Sequence, residues 1–131
     1  MTTDLHGAWT LLAAYIQPPH GARLDYLGPD PTGRLILDPS GWMTALLTAN
    51  HRNGDPAALF GSMLAYTGRY TADDTSFTTF VDAAWVPSWV GTEQRRHYTI
   101  DGDRLTIRTA PGPHPAFPGV EVTATLEWRR A

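Results

Sequence analysis

The sequence contains no cysteine, and all ten of its basic residues are arginine. Without thiols there is no disulfide framework and no thiolate metal site. Without lysine there is no Schiff-base amine, no lysine to carry a pyridoxal cofactor and no P-loop lysine. Charge is sparse, at 18% of residues, and the net charge of −3 gives no basic surface on which to expect nucleic acid. Long hydrophobic runs are missing as well. The stretch from Ala8 to Ile16 is too short and too polar for a signal sequence or a membrane span, and Met1 to His6 lacks a basic lead-in. The expectation is therefore a cytoplasmic protein with no membrane partner. Unbroken helical periodicity is also lacking, because 12 glycines and 11 prolines punctuate the 131 residues, which argues against a helical bundle.

What remains is apolar enough to bury a core. Hydrophobic residues make up 42% of a chain whose length suits one domain over residues 1–131. Threonine and aromatic residues are plentiful, and they fit a pleated, half-buried surface. Short alternating runs sit between turn signals. In Ala8 to Gln17, alternation puts Trp9, Leu11, Ala13 and Tyr15 on one face. Gly33 to Asp38 reads as a strand, Asp38-Pro39-Ser40-Gly41 as a turn, and Trp42 to Ala49 as the returning strand, with Leu37 opposite Trp42. Asp55 is placed to cap a short helix from Pro56 to about Phe60. Ser62 to Ala72 and Ser76 to Ala84 form the next hairpin around Asp73-Asp74, with Tyr70 opposite Phe77. Pro87 interrupts the ladder within 85–89. Thr92 to Ile100 and Arg104 to Thr109 pair across Asp101-Gly102-Asp103. A proline-rich loop, 110–119, leads to a last strand with Val120, Val122, Ala124, Leu126 and Trp128 facing in. The sum is an all-β protein: about eight antiparallel strands in meander order, closed into a barrel able to hold one small ligand, with one short helix.

Ordered segments along nearly the whole chain carry a resemblance. They include Gly7-Ala8-Trp9, Pro31-Thr32-Gly33-Arg34-Leu35, Asp38-Pro39-Ser40-Gly41-Trp42-Met43, Ala65-Tyr66-Thr67-Gly68-Arg69-Tyr70, Pro87-Ser88-Trp89-Val90-Gly91-Thr92-Glu93-Gln94-Arg95-Arg96 and Trp128-Arg129-Arg130. In this order the chain resembles the bacterial and fungal lipocalin-like domain family of calycin-type barrels. The resemblance implies an eight-stranded barrel with a ligand cavity and a setting near natural-product pathways, where related small barrels act as cyclases or isomerases. It also implies that Trp9 closes the barrel floor under a basic residue of the last strand, Arg129 or Arg130. Family members often carry His-His where this chain has Thr79 and Phe80, so any metal or acid–base role of those histidines is absent here.

The register across Asp101-Gly102-Asp103 selects candidate site residues. It pairs Tyr98 with Ile107 and turns Gln94, Arg96 and Tyr98 inward. An inward arginine needs a partner. Arg96 suits a ligand carboxylate, enolate or carbonyl through its planar fork, or else a structural pairing with Asp82 or a backbone carbonyl. Tyr98 and Tyr66 stand as proton donors or oxyanion stabilisers beside it. Gln94 would orient the ligand, with Tyr70, Thr79, Trp42 and Tyr15 completing an aromatic-lined wall, and Trp85 and Trp89 adding to it. The five histidines, including His97 and His114, have no metal-site spacing, so neither metal nor cofactor is expected. The function expected is binding of a small, mostly apolar, polyketide-like molecule, with cofactor-free cyclisation or isomerisation. The alternative is a non-catalytic carrier or sequestering protein. The oligomeric state stays open, a homodimer being compatible with the outward apolar residues.

Overall fold

The computed structural model describes residues 5–113 and 117–131. His114 of the proline-rich loop lies outside the described residues. Among the described residues the strands are β1 (Gly7–Gln17), β2 (Thr32–Leu37), β3 (Trp42–Thr48), β4 (Met63–Ala72), β5 (Ser76–Ala84), β6 (Glu93–Asp101), β7 (Arg104–Arg108), β8 (Gly112–Pro113) and β9 (Glu121–Arg130), and the one α-helix, α1, is Pro56–Gly61. Consecutive strands from β1 to β7 pair antiparallel, β7 pairs β9, and β9 returns to β1 to close an eight-stranded barrel; the two-residue β8 adds to the start of β9. The Asp55 carboxylate accepts from the Ala58 amide at 2.9 Å and caps α1, with Pro56 in its first turn.

In a closed meander, alternate connections emerge at opposite rims. The connections 38–41, 73–75 and 102–103 are tight hairpins at one end. The connections 18–31, 49–62 and 85–92 are long and gather at the other, together with the described parts of 109–120. The hairpin end is solid. Leu5, Trp9, Leu37, Met43 and Leu105 are fully buried there. The Arg130 guanidinium stacks 4.0 Å above the Trp9 ring and donates to the His6 carbonyl at 2.8 Å, while Trp9 Nε1 donates to the Leu5 carbonyl at 3.0 Å. Of the two basic residues the resemblance offered for this clamp, Arg130 fills the role.

Two faces differ from the expectation, each for a local reason. In β1 a bulge between Leu11 and Ala13 inserts a residue against β9, so Trp9 and Leu11 face in and then Ala14 and Ile16 do. Tyr15 is thereby turned to the exterior, where its hydroxyl donates to Glu127 at 2.8 Å under the Arg23 guanidinium. At the first hairpin, Gly41 at φ +95° adds one residue to the turn, and Leu37 faces Met43 instead of Trp42. A slip of one residue exchanges the faces of a strand. Met43 is buried and Trp42 is 41% exposed on the outside, covered by Arg69 at 4.2 Å. In the hairpin of β4 and β5, Tyr70 pairs with Thr79, a shift of two that leaves the faces as expected. Val120 also departs: it precedes β9 and is exposed.

The other bulge, between Thr67 and Gly68 of β4, requires glycine by close approach: a Cβ on Gly68 would lie 2.0 Å from the Phe80 carbonyl oxygen. Gly68→Ala should lower stability by about 3 kcal/mol, since backbone there cannot yield as a side chain would. Gly61→Ala, with nothing within 4 Å of the added methyl, should leave the thermal midpoint nearly unchanged. Thermal unfolding of the two variants checks this.

Candidate functional site

The long-connection end of the barrel holds a cavity of about 400 Å³. Its wall is largely aliphatic, drawn from strands on every side: Ile16 of β1, Leu35 of β2, Ala45 and Leu47 of β3, Ile107 of β7 and Leu126 of β9 are among the lining residues. Phe77 and Trp128 also line it, and both are almost wholly buried. Among the described residues the side chains with polar atoms that line it are Arg96, Tyr26, Tyr66, Thr109 and the Trp89 and Trp128 indoles.

Arg96 is where the sequence placed it. The two-residue turn at Gly102-Asp103 pairs Ile100 with Leu105 and Tyr98 with Ile107, and alternation carries Arg96 inward. Its guanidinium donates to the Arg95 carbonyl and to Gln94 Oε1, each at 2.9 Å. Gln94 is itself held by its Nε2, which donates to Thr92 Oγ1 at 2.8 Å. Gln94 is thus a support for Arg96 and is not among the lining residues. Among the described residues Arg96 makes no ion pair; the pairs there join Arg23 to Asp25 and Arg104 to Asp103. Asp82, the carboxylate considered as its partner, does not pair with it.

Tyr66 also lines the cavity, packed edge-on against Trp89 at 5.2 Å, and Trp89 meets Trp85 at 5.0 Å. Burial pushes the Tyr66 phenol up, and the Arg96 charge pulls it partly back. Sequence reading passed over Tyr26, which lies in the connection 18–31 where no strand periodicity exists to place it. That connection folds back over the rim. Ile16 and Leu24 exchange backbone hydrogen bonds at 2.8 Å, and the Gly28 amide donates to the Asp25 carbonyl at 2.9 Å, which tightens the turn around Tyr26. Leu27 is buried beside it at 3% exposure. The Tyr26 phenol is pushed up to about 12, chiefly by burial, with Arg96 lowering it and Tyr66 raising it. Arg96, Tyr26 and Tyr66 therefore feel one another. Neither phenol hydroxyl makes a hydrogen bond among the described residues.

The remaining expected residues lie elsewhere. Tyr98 and Tyr70 face inward but fill the solid end. The Tyr98 hydroxyl donates to the Asp73 carbonyl at 2.5 Å and its ring packs on Phe77 at 6.2 Å; the Tyr70 hydroxyl donates to the Asp38 carbonyl at 2.9 Å. Both hydroxyls are committed to hairpin carbonyls, so neither lines the cavity. Thr79 is fully buried with no hydrogen-bond partner for its hydroxyl, and it too lies off the lining. Trp42 and Tyr15 are outside the barrel, which corrects their assignment to the wall. Of the proline-rich loop, Ala110, Gly112 and Pro113 line the cavity, with β8 anchoring them on Val122 and Glu121.

The lining offers hydrogen-bond donors against an apolar wall, and no His, Asp or Glu among the described residues reaches it. Such a surface can hold a molecule of small aromatic size by its carbonyl or anionic oxygen. Among the described lining residues none is a carboxylate or imidazole that could act as a general base. No group of three or more His, Asp or Glu side chains among the described residues is clustered to hold a metal ion, and no helix among them is long and apolar enough to cross a membrane.

Comparison with known proteins adds two findings. A family model described as a lipocalin-like domain matches residues 6–131. A curated relative, the 4'-hydroxy-3'-methoxypropiophenone carrier protein of Aspergillus oryzae, is 36% identical over 76 residues, covering 51% of this chain and 66% of that protein. The chain thus spans a little under two thirds of that relative's length.

The raised phenol of Tyr26 has a thermodynamic consequence. An unfolded tyrosine ionises near 10, so between about pH 10 and 12 the native state binds the proton that the unfolded state has lost. Stability should fall with rising pH across that window, by up to about 1.4 kcal/mol per pH unit for this group. Below it the group contributes no slope. Denaturant titrations at several alkaline pH values should show the slope in the native sequence and a shallower one in Tyr26→Phe.

Proposed function

The chain belongs to the lipocalin-like domain family, and from that premise we propose that its barrel binds and carries a small, mostly apolar aromatic ketone or polyketide-like compound, with the ligand's oxygen turned to Arg96. The observation that carries this reading is the cavity itself: about 400 Å³, apolar-walled, with one guanidinium that has no carboxylate partner among the described residues. The volume falls within the range of small-ligand sites. An inward, half-buried cation lining an apolar cavity can gain a charge-assisted hydrogen bond from a ligand oxygen beyond those to the neutral acceptors it now holds. The name of the fungal relative, a carrier of a hydroxyaryl ketone, supports the same class of cargo. Carriage is favoured over transformation because the described lining residues supply donors and include no carboxylate or imidazole.

A second reading, a cofactor-free cyclase or isomerase, is supported by one observation. Tyr66, kept protonated by burial, sits within the field of Arg96, and the two together would polarise a carbonyl or stabilise an enolate. Tyr98, whose hydroxyl is committed to Asp73, takes no part in this version.

Two measurements separate the readings and test the first. Quenching of Trp89 and Trp128 fluorescence by 4'-hydroxy-3'-methoxypropiophenone should saturate at one equivalent, and mass spectrometry should recover the ligand unchanged. A mass-neutral rearrangement during incubation would favour the cyclase or isomerase. Arg96→Met should weaken binding by about 10- to 100-fold, the worth of a hydrogen bond to a charged group. Trp42→Phe, outside the barrel, should bind as the native protein does. Undiminished affinity in Arg96→Met would remove Arg96 from the site.

A further inference from the structure

Among the described lining residues the cavity has one charged side chain, a cation, and several donors beside it, with the Thr109 hydroxyl taken up by the Ala124 amide. Arg96 has five N–H donors, and two of its guanidinium nitrogens donate to Arg95 and Gln94, both neutral acceptors. The Tyr26 and Tyr66 hydroxyls reach the same space with no hydrogen bond among the described residues. Trp128 is 1% exposed, lines the cavity, and its Nε1–H is buried without an acceptor. A buried donor left unmatched costs stability, and several at one cavity form an environment arranged for negative charge. No carboxylate or imidazole among the described lining residues offsets it.

Deepening the binding reading above, on which this rests, we propose that the cavity selects the ionised form of its ligand: an acidic phenol or enol, bound as its oxyanion against Arg96 with the neighbouring phenol hydroxyls donating. The step is a heterolysis of the ligand O–H bond. Its electron pair stays on the ligand oxygen and its proton passes to solvent; nothing is oxidised or reduced. The protein's own phenols do not compete for ionisation in the neutral range, because burial holds both above their ordinary value. A ligand hydroxyl more acidic than tyrosine is therefore the first group to ionise in the field of Arg96. A neutral ether of the same shape would gain the apolar wall and forgo the charge-assisted hydrogen bonds.

The test uses 2-naphthol, which has an apolar body and one ionisable oxygen, and whose naphtholate absorbs to the red of tyrosinate. Its methyl ether, 2-methoxynaphthalene, serves as the probe that cannot ionise. With protein in excess, the apparent pKa of bound 2-naphthol should fall by about one unit or more, which corresponds to at least about a tenfold preference for the anion. The shift should vanish in Arg96→Met and shrink in Tyr66→Phe. Thermal unfolding of each variant verifies that it is folded, and the native protein's shift stands as the primary result regardless. Binding of both probes with an unchanged or raised naphthol pKa would overturn the proposal and leave the binding reading intact. Failure of both probes to bind at millimolar concentration would overturn both together.

Discussion

Closure of the sheet through β1 and β9 is the constraint on which the rest of the molecule depends. Eight residue pairs join the two strands, and a single bulge between Leu11 and Ala13 lets the sheet bend around without an unpaired edge. The bulge resets which face of β1 points inward. Trp9 can then plug one end under Arg130 while Ile16, on the opposite parity, lines the other. Without the reset, Tyr15 and its hydroxyl would sit in the barrel in place of Ile16, and the cavity would gain a polar group on an aliphatic side. Closure also divides the barrel by connection length. The tight hairpins seal one end, and the long connections leave room at the other for a cavity and for Tyr26 to enter it from the rim.

The tyrosines show how depth in the barrel sets what a side chain does. Tyr98 and Tyr70 are tied to backbone carbonyls of the hairpins at Asp73 and Asp38, so their hydroxyls are structural. Asp73 is held further: the amides of Thr75 and Ser76 donate to its carboxylate and keep it below the usual range. Tyr26 and Tyr66 lie at the other end, where aliphatic wall raises their phenols and only Arg96 opposes that. The same residue type thus locks turns at one end and supplies donors at the other.

Much of the fold was legible because turn chemistry and alternation agreed. The antiparallel barrel, the Asp55 cap and the inward Arg96 followed from turn and alternation patterns of a few residues, and the resemblance of ordered segments along nearly the whole chain added the lipocalin-like family. Arg96 was found because Gly102-Asp103 makes a two-residue turn whose register has no freedom. Trp42 was misplaced where that freedom exists: Gly41 at positive φ lengthened the turn by one residue. Tyr15 was misplaced because a bulge leaves no mark in a strand with apolar residues on both faces. Tyr70 and Tyr98 were given the right face, but parity along a strand says nothing of depth along the barrel axis. Tyr26 was missed because a folded-back connection has no period to read.

The central claim is that a small apolar molecule occupies the barrel with its oxygen at Arg96. A crystal structure of the protein with 4'-hydroxy-3'-methoxypropiophenone tests it most directly. The account predicts density inside the barrel between Leu47, Phe77 and Leu126, with a ligand oxygen within hydrogen-bonding distance of the Arg96 guanidinium. Density on the exterior, or an apolar ligand end against Arg96 with its oxygens turned away, would contradict it.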